Sequence, residues 1–267
     1  DTMFNDLEKN LFCAGRKISE HDNLPKNLSA EQILVRSSNI GAIRIAQRVG
    51  MDGYKNFLND LGIFETVNFD LEEIGVPLNF RWGKCKLATA SFGHGITTTL
   101  LQLARSYAVL SNGGYEIYPT ILKEKVKNKN TKKQIVSTKT SNTINSILRK
   151  VVSKKEGTAN FANVEGYEVG GKTGTAYKSV NGVYSTDKKI NTFVSIFPTS
   201  RPKYVLLVML DEPKPAPDFI YEFSNGYKSD GYKRNTSGWN TVVVTGKIIE
   251  KIGPILAIND LQASKNF

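Results

Sequence analysis

The stretch Gly166-Tyr167-Glu168-Val169-Gly170-Gly171-Lys172-Thr173 reproduces G-x-x-x-x-G-K-[ST] letter for letter. In a phosphate-binding loop such glycines let backbone N–H groups wrap the phosphates, which needs an apolar strand before the loop and a helix after it. Neither context is present. Glu156 to Glu165 carry no strand-like apolar run, and Gly174 to Gly182 contain two glycines and a turn, so Lys172 cannot open a helix. Started at Lys172, the same residues read differently. Lys172-Thr173-Gly174-Thr175-Ala176 suits a strand beside an acyl-transfer site, with a cation for a substrate carboxylate, hydroxyls to hydrogen-bond it, and a glycine where substrate nears the backbone. A strand edge also offers its own N–H and C=O groups to an extended peptide. Ser37-Ser38-Asn39 is a second cluster of small polar side chains, of a kind common in loops and between helices.

The elements that must hold these residues can be read from caps and periodicity. Ser29-Ala30-Glu31-Gln32 is a capping box leading into Ile33 and Leu34. After Asn39, Ile43, Ala46 and Val49 recur at helical spacing up to Gly50, and Tyr54, Phe57, Leu58 and Leu61 make a short helix stopped by Gly62. Thr99-Leu100-Leu101-Gln102 reads as another capping box, with Leu101, Ala104, Ala108 and Val109 on one face and Gly113-Gly114 as the stop. Ile144, Leu148, Val151 and Val152 predict a helix before Gly157. Three strands follow, Tyr167 to Tyr177, Ile190 to Phe197 and Tyr204 to Asp211, with turns at Asn181-Gly182 and Thr199 to Pro202. Asp211 to Gly238 reads as a long loop, and Val242 to Ile252 as a closing helix with Val243, Ile248, Ile249 and Ile252 inward. Helices, then an antiparallel sheet, then a packed helix predict an α+β fold.

Bulk properties narrow the function classes. The chain has 267 residues, 40% hydrophobic and 23% charged, an ordinary globular make-up. The longest apolar stretch, Val205 to Leu210, is of strand length, well short of the ~18 residues that a membrane helix needs. Because the sequence starts at Asp1, it is expected to be a piece of a longer protein, with any leader or anchor outside it. The balance of 36 Lys and Arg against 25 Asp and Glu gives +11, but the lysines scatter through loops without interleaved aromatics, so nucleic acid is not an expected partner. Cys13 and Cys85 have no metal-site spacing and leave one disulfide possible but not required; with only His21 and His94 beside them, zinc is not expected.

Taken together, these residues resemble the penicillin-binding transpeptidases, whose motifs are Ser-x-x-Lys, Ser-x-Asn and Lys-Thr-Gly. Ser37-Ser38-Asn39 stands for the second and Lys172-Thr173-Gly174 for the third. Ser91 to Gly95 with Thr99 to Arg105 looks like the family's mid-domain signature, and Phe193 to Pro198, Val205 to Pro213 and Gly238-Trp239-Asn240 fit as well. The resemblance runs from about Leu28 to the C-terminus and is strongest to class B proteins of the septal, FtsI type. Asn39 speaks for the septal over the elongation type, and Ala176 against class A. It implies the transpeptidase and serine β-lactamase-like fold over residues 1–267 as one incomplete domain, with residues 212–238 as a long loop near the active site. The first motif is expected just upstream of Asp1. Ser185-Thr186-Asp187-Lys188 and Ser200-Arg201-Pro202-Lys203 have its letters but follow Lys-Thr-Gly and read as surface turns.

The mechanism implied is acyl transfer from D-Ala-D-Ala of a peptidoglycan stem peptide. The nucleophilic Ser and base Lys of the first motif lie outside the chain, which alone would be inactive. The resemblance gives Ser37 a proton relay to the leaving amine and Asn39 a hydrogen bond to the substrate carbonyl. Lys172 would polarise Ser37 and attract the terminal carboxylate, Thr173 and Thr175 would bind it, Gly174 would leave it room, and the Thr175 N–H would form half of the oxyanion hole. It implies no cofactor or metal, β-lactams as inhibitors, a lipid II glycosyltransferase and divisome proteins as partners, and an anchored place on the periplasmic face of the inner membrane. His94 reads as structural, and Tyr221, Tyr227 and Tyr232 as groove or surface residues. The alternatives are a β-lactamase or β-lactam sensor, for which Glu65, Glu72 and Glu73 offer no convincing water-activating setting, and an inactive binding module.

Overall fold

A computed structural model describes residues 2–72, 74–83, 85–123, 133–180 and 183–265. The chain divides into two compact units, Asp1–Ile147 and Leu148–Phe267, the division falling inside one helix.

In the first unit, β1 (Met3–Phe4) pairs antiparallel with β4 (Leu28–Ser29), and β2 (Asn10–Cys13) with β3 (Arg16–Ser19). Then come α1 (Ala30–Arg36), α2 (Asn39–Val49), α3 (Met51–Asp60), α4 (Lys86–Ser91), α5 (Leu100–Ser111) and the start of α6 (Thr138–Ser153). The predicted capping box on α1 is present in full: Ser29 accepts from the Gln32 N–H, and the Gln32 side chain accepts from the Ser29 N–H. Phe4, Leu7, Leu28, Ile33, Ile40 and Ile43 form one core cluster. Leu58, Leu61, Ile63 and Val109 form another. Val49, expected inside, is exposed at the end of α2. Cys13 and Cys85 form a disulfide, with Cα atoms 5.8 Å apart, that ties the β2–β3 hairpin to the start of α4, and α4 packs on α2.

Two expectations for α5 fail for one reason. Thr99 does accept from the Gln102 N–H, but the Gln102 side chain does not return to Thr99. It turns inward and donates to the carbonyls of Leu61 and Gly62, so the buried line of α5 is Gln102, Ser106 and Val109 rather than Leu101, Ala104 and Ala108. The end of α3 leaves carbonyls that need donors, and buried polar side chains supply them.

The second unit holds the rest of α6, then β5 (Gly170–Val180), β6 (Val183–Phe197) and β7 (Tyr204–Asp211) in an antiparallel sheet of order β5-β6-β7. The first strand starts at Gly170, not Tyr167, because Gly166 and Glu168 take positive φ in a turn before it. The predicted Asn181-Gly182 turn lies outside the described residues, as does Glu73. The 211–238 segment is not one loop: it folds a hairpin, β8 (Ile220–Glu222) with β9 (Lys228–Asp230), and ends in a 3-10 turn at Ser237–Trp239. The closing helix α7 (Thr241–Lys265) runs past Ile252, and its buried line is Val242, Thr245 and Ile249. Val243, Ile248 and Ile252 are half-buried beside it. It packs on β6 and β7.

Gly41 tests the packing of α1 on α2. A Cβ there would lie 2.5 Å from the Ile33 side chain, which is 3% exposed and has little room to yield. Gly41→Ala is expected to lower unfolding free energy by about 1–3 kcal/mol despite alanine's better helix propensity, as read by denaturant titration of the intact protein. An unchanged midpoint would contradict this packing.

Candidate active site

Ser37 and Ser38 are all that separates α1 from α2. The Ser37 N–H donates to the Leu34 carbonyl at 3.3 Å and the Ser38 N–H to the Ile33 carbonyl at 3.0 Å, the paired bonds of a Schellman closure. Such a closure needs a left-handed residue, usually glycine, and Ser37 occupies it at φ 59°, ψ 42°. A side chain there costs on the order of 1 kcal/mol or more. Ser38 then caps α2, its hydroxyl accepting from the Gly41 N–H at 2.9 Å. Asn39, the first residue of α2, donates from Nδ2 to the Ser19 carbonyl at 3.1 Å, which fixes the amide and leaves its second N–H to point elsewhere.

Lys172 to Thr175 lie on β5, which pairs with β6 alone among the described residues and forms the sheet's edge. Lys172 stands opposite Val194, Thr173 opposite Phe193, Gly174 opposite Thr192 and Thr175 opposite Asn191. The Lys172 amine folds back to donate to the Thr173 carbonyl at 3.1 Å. Burial pulls its pKa from the ordinary lysine value down to about 8. The Thr173 and Thr158 hydroxyls are hydrogen-bonded at 2.8 Å. The Ser237 N–H donates to the Thr175 hydroxyl at 3.0 Å, so that hydroxyl keeps its own hydrogen to donate.

The glycines here have separate causes. A Cβ at Gly170 would lie 2.5 Å from Thr199, and one at Gly171 2.4 Å from the Val194 carbonyl. Both are packing glycines, which accounts for their place in a pattern that mimics a phosphate loop. Gly174 is exposed, has no positive φ, and a Cβ there would meet nothing nearer than 3.8 Å. Internal packing does not require glycine at that position.

The family model for the penicillin binding protein transpeptidase domain matches residues 6–233. The chain belongs to this family. It is 32% identical over 252 residues to a Caulobacter vibrioides protein named "Probable peptidoglycan D,D-transpeptidase FtsI", covering 91% of this chain and 41% of that one. It is 34% identical over 196 residues to stage V sporulation protein D of Bacillus subtilis, covering 68% of this chain and 30% of that one. The chain thus spans less than half the length of these relatives. The transpeptidase domain of Burkholderia pseudomallei penicillin-binding protein 3 superposes with a TM-score of 0.79 at 26% identity, over 95% of this chain and 72% of that one. The α+β fold expected from the sequence is therefore that of the penicillin-binding transpeptidases.

Within this family's fold, the other residues singled out in the sequence sort by contact. Ser185 to Lys188 lie in strand β6 rather than in a turn, and the Ser185 hydroxyl accepts from the N–H groups of Asp187 and Lys188. Ser200 to Lys203 do form a turn, with Lys203 paired to Asp260 at 2.6 Å. His94 is half-buried against Phe92, and burial lowers its pKa below the ordinary value. Tyr221 is 5% exposed, its hydroxyl donating to the Trp239 carbonyl at 2.6 Å within a cluster with Phe161 and Trp239, so it lines no groove. Tyr227 and Tyr232 are exposed. Glu20, Thr158 and Ser237 went unread in the sequence; the nearest signal was Gly238-Trp239-Asn240, noticed only as a family likeness. Among the described residues no group of three or more His, Cys, Asp or Glu could hold a metal ion, and no helix is long and apolar enough to cross a membrane.

The lowered pKa of Lys172 makes stability depend on pH. Below about pH 8 folded and unfolded chains both carry the proton and the burial cost is present in full. Between about 8 and 10.5 the folded chain has shed it while the unfolded chain keeps it, so stability rises with pH across that window. The Lys172 side-chain resonance of the intact protein, assigned by its loss in Lys172→Arg, should titrate with a midpoint near 8. A midpoint at the ordinary lysine value would show that the amine is not desolvated.

Proposed function

We propose that this chain is the greater part of a D,D-transpeptidase domain that cross-links peptidoglycan stem peptides in septal wall synthesis, and that β-lactams acylate the intact protein. The single observation that carries this is Gly174, a strand-edge glycine that packing does not require, flanked by Lys172, Thr173 and Thr175 in a chain whose family match spans both units. Space kept open beside a strand edge that, among the described residues, pairs with no further strand suits a substrate that arrives extended and close to the backbone. The family match across both units supports reading residues 1–267 as one transpeptidase domain. The hold of Ser237 on Thr175 supports reading residues 212–238 as a segment flanking the active site.

In this reading the nucleophilic Ser and its Lys belong to a Ser-x-x-Lys motif on a preceding segment. The Ser attacks the carbonyl of the penultimate D-Ala, the Lys takes its proton, and D-Ala leaves with a proton delivered through Ser37. Asn39 holds the substrate carbonyl. Lys172, with Thr173 and Thr175, draws in the terminal carboxylate. The Thr175 N–H provides one donor for the oxyanion and the nucleophile's own N–H the other. A neighbouring stem-peptide amine then takes the acyl group. A serine kept where a left-handed turn favours glycine supports a need for the Ser37 hydroxyl. The β-lactam reading has a parallel in the Mycobacterium penicillin-binding protein 3 solved with ampicillin, which matches this fold with a TM-score of 0.73 at 23% identity. The intact protein would be anchored in the inner membrane, facing the periplasm, beside a lipid II glycosyltransferase and the division machinery.

Fluorescent penicillin, with the label located by intact mass, tests this. A version extended upstream to include Ser-x-x-Lys should be labelled at that Ser, and the 267-residue chain should not be labelled. Gly174→Ala in the extended version should melt at or slightly above the parental temperature, since alanine suits a strand better than glycine by about 0.5–1 kcal/mol, yet label at least about tenfold more slowly. Labelling at Ser37 or Ser185, or a folded extended chain that takes no label, would overturn the proposal; rapid antibiotic turnover would favour a β-lactamase.

A further inference from the structure

Glu20 has no part in the family motifs, yet its carboxylate reaches the residues of the second one. It sits one residue past the end of β3 and accepts three hydrogen bonds: from the Ser38 hydroxyl at 2.6 Å, the Asn39 N–H at 2.9 Å and the Ile40 N–H at 2.8 Å. Its neighbour Ser19 takes the Asn39 side chain at 3.1 Å. One two-residue segment, Ser19-Glu20, therefore fixes Asn39 at both its backbone and its amide.

We propose that Glu20 is a positioning residue for the Ser37-Ser38-Asn39 motif, holding the first turn of α2 so that the second N–H of the Asn39 side-chain amide and the Ser37 hydroxyl keep their directions. The inference rests on the transpeptidase reading for what those groups do. Ser38 satisfies only the Gly41 N–H, and Glu20 takes the Asn39 and Ile40 N–H groups before it, so the orientation of the motif residue Asn39 depends on Glu20. Glu20 adds a carboxylate where the helix N-terminus presents positive partial charge, with charge-assisted bonds shorter and stronger than neutral ones. The hairpin that delivers it is itself fixed. Cys13 near its tip is bonded to Cys85 at the start of α4, and α4 packs on α2, so hairpin, disulfide, α4 and α2 form a closed circuit that Glu20 completes. Small losses of alignment in such a group weigh heavily on rate, since a 1 Å displacement can cost about a hundredfold.

The test uses the intact protein with Glu20→Ala and Glu20→Gln, and Ser137→Ala as a control for lost stability, because Ser137 caps α6 through the Thr140 N–H at 3.1 Å and bonds the Thr140 hydroxyl at 2.9 Å, away from the motif in sequence. Penicillin acylation should slow about tenfold or more in Glu20→Ala, less in Glu20→Gln, which keeps one acceptor, and not at all in Ser137→Ala. Hydrogen exchange at the Asn39 and Ile40 amides should quicken in both Glu20 variants. Parental acylation rates in the Glu20 variants, or unchanged exchange at those two amides, would overturn the proposal while leaving the transpeptidase reading intact. If the parent itself takes no penicillin, the transpeptidase reading falls and amide exchange alone decides whether Glu20 holds the turn.

Discussion

In the first unit, α1 passes into α2 through two residues, and the rest of the local structure answers to that constraint. A reversal this short closes only if one residue turns left-handed, so Ser37 does. It brings α2 so close to α1 that position 41 has no room for a methyl group against Ile33. It also leaves the N–H groups of the first turn of α2 without helical partners, and these are met by the Ser38 hydroxyl and the Glu20 carboxylate. The core cluster beneath, from Phe4 to Ile43, sets the positions of both helices. The corner is rigid because satisfying its backbone groups leaves few alternatives, and a rigid corner suits side chains whose directions matter.

The second unit achieves comparable fixity with hydroxyls. Thr158 holds Thr173, and the buried Ser237 holds Thr175 through its N–H while its own hydroxyl donates to the Thr192 carbonyl at 2.8 Å. Ser237 is delivered by the 3-10 turn that precedes α7, and that turn is braced by the aromatic cluster of Phe161, Tyr221 and Trp239. The long stretch between β7 and α7 thus serves as a support for β5 at its inner end, whatever its exposed tip does.

The sequence was legible where local rules suffice. The capping box at Ser29, the stop at Gly50, the strand content of Lys172 to Ala176 and the absence of a phosphate-loop context followed from caps, periodicity and neighbours. The motifs themselves were legible by family likeness rather than by physics, because nothing local to Ser-Ser-Asn or Lys-Thr-Gly marks them as parts of one site. What stayed hidden was long-range. Nothing near Glu20 announces that it meets residues 18 to 20 positions later. Gln102 looked like half of a capping box until the carbonyls ending α3 claimed it. Tyr221 reads as a groove or surface residue because a Pro-, Gly- and Tyr-rich stretch does not reveal that it folds a hairpin onto a tryptophan.

The open edge of β5 carries a liability as well as an opportunity. A strand edge that pairs with no other strand among the described residues, and could take an extended peptide, could also take a strand from another copy of the chain, and flat apolar edges are where sheet proteins begin to aggregate. This edge is broken up by charge and by gaps: Lys172 and Lys178 interrupt it, Gly174 offers no side chain to pack, and the register with β6 shifts between Tyr177 and Ser179. In the proposed reading, Lys172 and Gly174, which would receive the carboxylate end of a peptide, therefore also make the strand a poor template for self-assembly, so solubility and recognition would be served by the same few residues.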